Sequence, residues 1–119
     1  MGKVAITING SEVKNIYPAV TIGVSAAASG DDVILFILPS GLPAFVKGEL
    51  EKIDEKAKNL PNLMEMMDGL KMLNARLLVC ELGFGVHDLK EENLIEGLEV
   101  VGATTFVAEA IGSDLTFSF

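Results

Sequence analysis

Short apolar runs alternate with longer segments of mixed polarity along the chain, and this alternation predicts strands and helices in turn. Residues 3–8, 32–38 and 76–80 are rich in β-formers. The last two of these runs are apolar almost throughout, which is typical of strands covered on both faces. Weaker strand patterns occupy residues 98–101 and 115–119.

Helical periodicity fills the segments between these strands. The predicted helices cover residues 11–29, 44–58, a segment that begins at the capping residue Asn62, 91–96 and 104–111. Ser11 is the predicted cap of the first helix, and Gly30 is its predicted stop. The regular alternation of strand and helix favours right-handed βαβ units, and hence an α/β fold with a mainly parallel sheet covered on both faces.

The composition favours one domain over residues 1–119 and a surplus of apolar side chains. Half of the residues are apolar and the mean hydropathy is +0.44, so we expect a subunit interface or a membrane contact to cover the surplus. The longest charge-free run, residues 15–30, contains polar side chains and is shorter than the ~20 residues of a spanning helix. We therefore expect no transmembrane segment, no signal peptide and a cytoplasmic protein.

The charge distribution argues against nucleic acid as a partner. The formal net charge is −8, and Lys90 is the only basic residue after Arg76. A phosphate backbone requires clustered cations, and the chain has no such cluster. The single cysteine cannot form an internal disulfide, and a free thiol suits a reducing compartment.

Ligands of open parallel sheets bind beyond the carboxyl ends of the strands. That rule selects the segments 9–11, 39–43 and 80–88, of which the third holds both the only cysteine, Cys80, and the only histidine, His87. Residues 39–43 and 82–88 contain proline or glycine and are predicted loops. The candidate binding residues in these segments are Asn9, Gly10, Ser11, Gly41, Leu42, Gly83, Phe84 and Gly85.

Cys80 permits two interpretations. It is either a nucleophilic thiolate, stabilised by N–H groups of a backbone that bends at Gly83 and Gly85, or a small hydrophobic residue at the end of a core strand. His87 is either its general base or a loop histidine satisfied by Asp88, and the second interpretation is the more economical. No residue spacing resembles that of a zinc site, so we expect no metal.

The turn formed by Asn9, Gly10 and Ser11 could also face a phosphate, as in a small flavin- or nucleotide-binding domain. The chain lacks the G-x-G-x-x-G and Walker patterns that normally accompany such a site. A turn followed by a helix cap explains the same residues, and we expect no cofactor.

Several segments resemble the DsrE/DsrF-like sulfur-relay family. The most specific is the strand that ends in cysteine, LLVCELGFGVHDL, followed by KEENLIEGLEVVG and ATTFVAEA; KVAITINGS, IYPAVTIGVSAAASG and DVILFILPSGLPAF fit the earlier part. The resemblance implies a three-layer α/β/α sandwich around a five-stranded sheet, a homo-oligomer such as a trimer or hexamer, and sulfur transfer through a persulfide on Cys80. Many relatives have a methionine-rich loop after this cysteine, where this chain has Gly83-Phe84-Gly85.

Three hypotheses follow from these observations. The first is a sulfur-relay protein, a sulfurtransferase-like persulfide carrier that exchanges sulfur with donor and acceptor proteins at a mouth formed by Leu42, Phe45 and Phe84. The second is a non-catalytic homo-oligomeric binding module of the same fold, with Cys80 buried. The third is the flavin- or nucleotide-binding domain.

Overall fold

The computed structural model describes residues 1–119 and contains five β-strands and five α-helices. In chain order they are β1 (Lys3–Ile8), α1 (Val13–Ala28), β2 (Asp32–Ile37), α2 (Glu49–Lys56), α3 (Leu63–Met72), β3 (Arg76–Cys80), α4 (Leu82–His87), β4 (Glu99–Val101), α5 (Ala103–Ala110) and β5 (Leu115–Ser118). Short 3₁₀ helices cover Pro39–Phe45 and Glu91–Asn93. None of the helices combines the length and the apolar character needed to span a bilayer.

The strands form one sheet in the order β4-β3-β2-β1-β5, and every neighbouring pair is parallel. Strands β1 to β4 advance across the sheet in one direction, and β5 returns to the far side of β1. Because parallel crossovers are right-handed, the return connection places α5 on the face opposite to α1, α2 and α3. The predicted three-layer α/β/α architecture with five parallel strands is therefore confirmed.

The two faces of the sheet are covered very unequally. Alternate strand residues point to the side of α1, α2 and α3, where 23 buried residues, such as Ile6, Leu35 and Val79, form the main core. The residues between them, Ile34, Phe36, Leu78 and Cys80, form a buried cluster of only four on the side of α5. The second layer is thin because α5 is short and contributes no fully buried residue.

Asp54 connects the three helices of the main layer. Its Oδ1 accepts a hydrogen bond from the Tyr17 hydroxyl of α1 at 3.3 Å and one from the backbone N–H of Leu63, at the start of α3, at 2.9 Å. Burial, and then the negative charge and hydrogen bond of Asp54, raise the pKa of Tyr17 above its ordinary value. At the same end of α3, the side-chain oxygen of Asn62 accepts a hydrogen bond from the backbone N–H of Glu65. Asn62 therefore caps α3, as predicted.

Two predicted boundaries are wrong for identifiable reasons. The helix expected from residue 44 begins only at Glu49, since residues 39–45 wind into a 3₁₀ helix and Gly48 adopts φ +89°, which interrupts any continuous helix. Ser11 does not cap α1: its hydroxyl donates to the carbonyl of Ser40, and the cap position falls on Glu12. The backbone N–H of Glu12 is satisfied by the side chain of Asn15.

The predicted loop 82–88 is also wrong in part, because Leu82–His87 form α4. Gly83 and Gly85 lower the intrinsic helix propensity of this segment. Contacts with the 3₁₀ helix Pro39–Phe45 stabilise α4 nonetheless. Asp88 follows α4 in the left-handed conformation, at φ +52°, and ends the helix.

Candidate functional site

The three segments selected from the sequence meet at the carboxyl edge of the sheet. The hydroxyl of Ser11, after β1, lies 2.6 Å from the carbonyl oxygen of Ser40, after β2. The ring of His87, at the end of α4, lies 2.6 Å from the carbonyl oxygen of Pro39. The three segments therefore lie together, as expected for parallel strands that end at one edge.

Glycine makes this convergence possible at two positions. A Cβ at position 41 would lie 2.9 Å from the carbonyl oxygen of Ile8, and one at position 83 would lie 2.8 Å from the Cδ2 atom of Leu42. Both distances are too short for a real side chain, so Gly41 and Gly83 let the 3₁₀ helix and α4 pack directly on their neighbours. Gly85, in contrast, faces open space.

Cys80 is the last residue of β3 and lies on the thinly covered face of the sheet. It is 2% exposed and packs in the cluster of Ile34, Phe36 and Leu78. Its sulfur takes part in none of the side-chain hydrogen bonds of the structure, and no cation lies in its cluster. A charge on this sulfur would have no side-chain partner in this structure.

His87 forms no hydrogen bond with Cys80. Its Nε2 faces the carbonyl oxygen of Pro39, and because a carbonyl can only accept, this nitrogen carries the hydrogen and donates it. The ring therefore fastens α4 to the 3₁₀ helix. A role for His87 as a base would have to use its Nδ1 atom.

The other predicted binding residues divide between surface and core. Leu42 and Phe45 are completely buried and belong to the main core, while Phe84 is partly buried and packs against it. Asn9 is exposed, and Gly10 and Ser11 are half-buried. A mouth lined by Leu42 and Phe45 is therefore absent from the closed structure.

Phe106 of α5 packs with Leu38 and Val101 against the buried cluster that contains Cys80, and the sequence analysis did not single out this helix. The ring of Phe106 stacks on that of Phe36, with centroids 4.4 Å apart and planes inclined by 8°. Arg76 of β3 forms ion pairs with Glu99 of β4 and Glu109 of α5. Phe106 is the only aromatic residue in ATTFVAEA, and this was the available signal that the helix packs one ring against the sheet.

The ion pairs hold Arg76 charged and α5 in place. Hydrogen bonding to Glu99, supported by the charges of Glu99 and Glu109 and opposed by burial, raises the pKa of Arg76 above its ordinary value. Since these side chains are partly exposed, each pair contributes little stability. Helix α5 is therefore attached to the sheet by the stacking of Phe106 on Phe36 and by a weak ion pair between Glu109 and Arg76.

The surface near the candidate site offers no enclosed pocket around the thiol. A cavity of 520 Å³ lies at the same edge, between Ser11, Pro43 and the polar side of α2, and neither Cys80 nor His87 lines it. No group of three or more histidine, cysteine or acidic side chains is arranged to hold a metal ion.

Comparison with solved structures identifies the same fold in proteins of distant sequence. The ychN protein from E. coli superposes with a TM-score of 0.79 at 19% identity, and all of both chains is covered. The protein MTH1491 from Methanobacterium thermoautotrophicum gives a TM-score of 0.74 at 11% identity, with 98% of this chain and 99% of that chain covered. At these identities the likeness concerns the fold.

Two sequence relatives come from Methanocaldococcus jannaschii. The uncharacterized protein MJ0760 is 30% identical over 73 residues, which are 61% of this chain and only 26% of that protein. The uncharacterized protein MJ0989 is 27% identical over 103 residues, which are 87% of this chain and 85% of that protein. This chain thus corresponds to about a quarter of the first relative and to most of the second.

The sequence profile of the DsrE/DsrF/DrsH-like family matches residues 49–117, more than half of the chain. The match spans α2 to β5 and includes Cys80, His87 and the covering helix α5. Together with the five-stranded parallel sheet, it shows that the chain belongs to the DsrE/DsrF/DrsH-like family.

Proposed function

We propose that this protein is a sulfur-relay protein that carries sulfane sulfur on Cys80. One observation carries the proposal: the only thiol of the chain lies at the carboxyl end of an interior parallel strand, where ligands of such sheets bind. Membership of the DsrE/DsrF/DrsH-like family supports it. The proposal includes donor and acceptor proteins as partners, a homo-oligomeric state and a cytoplasmic location, where the thiol stays reduced.

The relay consists of two displacements at sulfur without net oxidation. The thiolate of Cys80 attacks the outer sulfur of a donor persulfide, a new S–S bond forms, the donor S–S bond breaks, and the donor leaves as a thiolate. An acceptor thiolate then attacks the outer sulfur of the Cys80 persulfide and releases the Cys80 thiolate. The hydrogen of the persulfide travels with the transferred sulfur in both steps.

The apolar surroundings of Cys80 have a consequence for this chemistry. Phe36 belongs to the buried apolar cluster of Cys80 and Phe106 packs against it, and in this position of α5 we expect them to keep water and small thiols away from a bound persulfide. Transfer then requires α5 to move, and its weak attachment makes such opening inexpensive in free energy. The outer sulfur would meet the acceptor only in the open state.

Mass spectrometry of the native protein tests the proposal. After incubation with a sulfane donor, we expect wild type to gain the mass of one sulfur atom on Cys80 and Cys80→Ser to gain none. A second arm measures the alkylation rate of Cys80 against pH in the folded protein. An unmodified native protein, whose thiol reacts with alkylating agents only after unfolding, contradicts the proposal.

The burial of Cys80 favours a second candidate, a non-catalytic binding module of the same fold. Here the thiol is a core side chain, 2% exposed and without a hydrogen bond, and His87 only fastens α4. This candidate predicts that Cys80→Ala folds and binds its partners normally and that donor treatment leaves wild type unchanged. The mass measurement therefore separates the two candidates directly.

A further inference from the structure

We propose that Glu81 makes the Cys80 site selective for sulfur donors and acceptors whose reacting sulfur is flanked by neutral or cationic groups. The proposal rests on the proposed function, since the same thiol would exchange sulfur with these partners. Its physical basis is the repulsion between like charges: a carboxylate without a counter-ion beside the thiol disfavours the approach of a second negative charge.

Glu81 directly follows Cys80, and its carboxylate lies beside the junction of β4 and α5. Its backbone N–H donates to the carbonyl of Val101 at 3.0 Å, and its Oε1 lies 3.4 Å from the position that a Cβ of Gly102 would take. Val101 is also the partner of Cys80 in the ladder between β3 and β4. The exposed carboxylate therefore lies next to the strand pair that holds the thiol.

The side chains that pack against the buried cluster of Cys80 form an apolar rim. They are half-buried, whereas the cluster beneath them is fully buried. The members of the apolar rim are Leu38, Val101 and Phe106. Gly102, which the carboxylate of Glu81 approaches, follows directly on one of these residues in the chain. A partner that reaches the sulfur past the apolar rim therefore also approaches this negative charge.

No cation offsets the carboxylate of Glu81. It takes part in none of the ion pairs of the structure. Arg76, the basic residue of β3, lies at the opposite end of the strand and is already paired with Glu99 and Glu109. The negative charge of Glu81 therefore acts on its surroundings without a neutralising partner.

The rest of this edge does not reverse the sign. Residues 81–96 contain five acidic side chains against two basic ones, His87 and Lys90. The ring of His87 is engaged with the carbonyl of Pro39, and the exposed carboxylate of Asp88 follows it. Residues 38–45, which follow β2, contain no charged side chain. Glu81 is the acidic residue nearest to the thiol along the chain.

Covalent geometry keeps Glu81 within reach of the sulfur. Consecutive Cα atoms are about 3.8 Å apart, so these neighbouring side chains stay within roughly one Debye length at about 0.1 M salt. At a separation of about 8 Å in water, two like unit charges repel enough to slow an approaching anion about twofold. Less polar surroundings increase this factor, so we expect a selectivity of about two- to fivefold at low ionic strength.

Two alkylating agents of different charge measure the selectivity on the folded protein. Iodoacetate carries a negative charge and iodoacetamide carries none. With either reagent the Cys80 thiolate attacks carbon, an S–C bond forms, and iodide leaves with the electron pair of the C–I bond. Both rates depend equally on the thiolate fraction and on how often the site opens, so their ratio reports the charge beside the sulfur.

Glu81→Gln should raise the ratio of the iodoacetate rate to the iodoacetamide rate about two- to fivefold at low ionic strength, and Glu81→Lys should raise it further. Glu55→Gln is the matched control, because it removes the same charge from an exposed residue of α2, on the other face of the sheet, and should leave the ratio unchanged. Sodium chloride at about 0.5 M should bring wild type close to Glu81→Gln, since screening weakens the repulsion.

Circular dichroism checks that the variants fold. Equal ratios in wild type and Glu81→Gln, or an equal effect of Glu55→Gln, overturn the proposal. A folded protein whose thiol reacts with neither reagent overturns it as well, together with the sulfur relay.

A sulfur-transfer measurement separates this proposal from the relay itself. The persulfides of cysteamine, which is cationic, and of mercaptopropionate, which is anionic, serve as donors, and mass spectrometry follows the gain of sulfur on Cys80. We expect wild type to prefer the cationic donor and Glu81→Gln to prefer it less. If both donors transfer sulfur but Glu81→Gln behaves like Glu55→Gln, the selectivity is overturned and the relay stands. If neither donor transfers sulfur while the alkylation ratio depends on Glu81, the relay fails and the charge selectivity of the thiol stands.

Discussion

At the residue scale, single atoms decide how closely the segments at the carboxyl edge can approach. Gly41 faces the carbonyl of Ile8, and Gly83 faces the side chain of Leu42. The hydrogen bond from His87 to Pro39 holds the same region from the other side. These contacts fix the path of the chain around the end of β3 and, through it, the position of Cys80.

Gly41→Ala should destabilise the protein by about 1–3 kcal/mol, because the added methyl group meets the rigid backbone of β1 and the chain must shift. Urea unfolding followed by circular dichroism measures the loss. Gly85→Ala is the matched control, since its methyl group points into open space within α4 and should be neutral or slightly stabilising. Equal stability of the two variants would show that the close approach at position 41 is unimportant.

Tyr17 gives the stability a pH dependence with a defined sign. Its pKa in the folded state is raised above 10.0, so the folded state holds the proton more tightly than the unfolded state does. The stabilisation of the folded state by protonated Tyr17 is fully present below about pH 10, and it is lost as the pH rises through the raised folded-state pKa. Tyr17→Phe should therefore show a smaller loss of stability in alkaline solution than wild type.

Tyr17 is the only tyrosine, so tyrosinate absorbance follows its titration directly. Asp54→Asn should bring the midpoint closer to 10.0, because the negative charge that raises the pKa of Tyr17 is removed while burial still raises it. A midpoint at the ordinary value in wild type would contradict the burial of the hydroxyl beside Asp54.

At the scale of elements, α5 is the part of the structure on which the candidate chemistry depends. It covers the second face of the sheet alone, and none of its residues is fully buried. Phe106 on Phe36 and Glu109 on Arg76 are its main attachments. Its sequence predicts a helix correctly, but only the crossover from β4 to β5 places that helix on the face of the sheet that carries Cys80.

Phe106→Ala should increase the alkylation rate of Cys80 in the folded protein, because the stacked ring that helps to hold α5 is lost. We expect a cost in stability of about 1–2 kcal/mol, below that of a fully buried phenylalanine. Val107→Ala, at the next and more exposed position of α5, should leave the rate unchanged. Equal rates in wild type and Phe106→Ala would indicate that α5 does not control access to the thiol.

At the scale of the whole molecule, the main features are the negative net charge and the unequal packing of the two faces of the sheet. The main core of 23 buried residues lies under three helices, and the second has four buried residues. The net charge of −8 is spread over the surface, with few ion pairs to offset it. Self-repulsion of this kind destabilises a compact state.

The midpoint of thermal unfolding should therefore rise when sodium chloride is added up to physiological ionic strength, since screening reduces the repulsion among the carboxylates. Differential scanning calorimetry at neutral pH measures the shift. The few exposed ion pairs would be weakened by the same salt, but each is worth little. A midpoint that falls with salt would mean that these pairs outweigh the net charge.

The sequence by itself determined the α/β class, the strands of the main core, the end of the first helix before Gly30 and the meeting of the three selected segments at one edge of the sheet. These features depend on periodicity, on turn chemistry and on the geometry shared by all parallel sheets. Strand β3 was predicted with its observed bounds because a run of apolar residues can only be satisfied between two covering layers.

Only the tertiary structure decided what surrounds each candidate residue. The sequence left the exposure of Cys80 open, since the side chains packed against its cluster, Leu38, Val101 and Phe106, come from parts of the chain more than twenty residues away. It also could not show that His87 reaches Pro39 rather than the thiol, or that Leu42 turns into the core. Strand order brings these distant residues together, and strand order depends on the packing of the whole chain rather than on any local pattern.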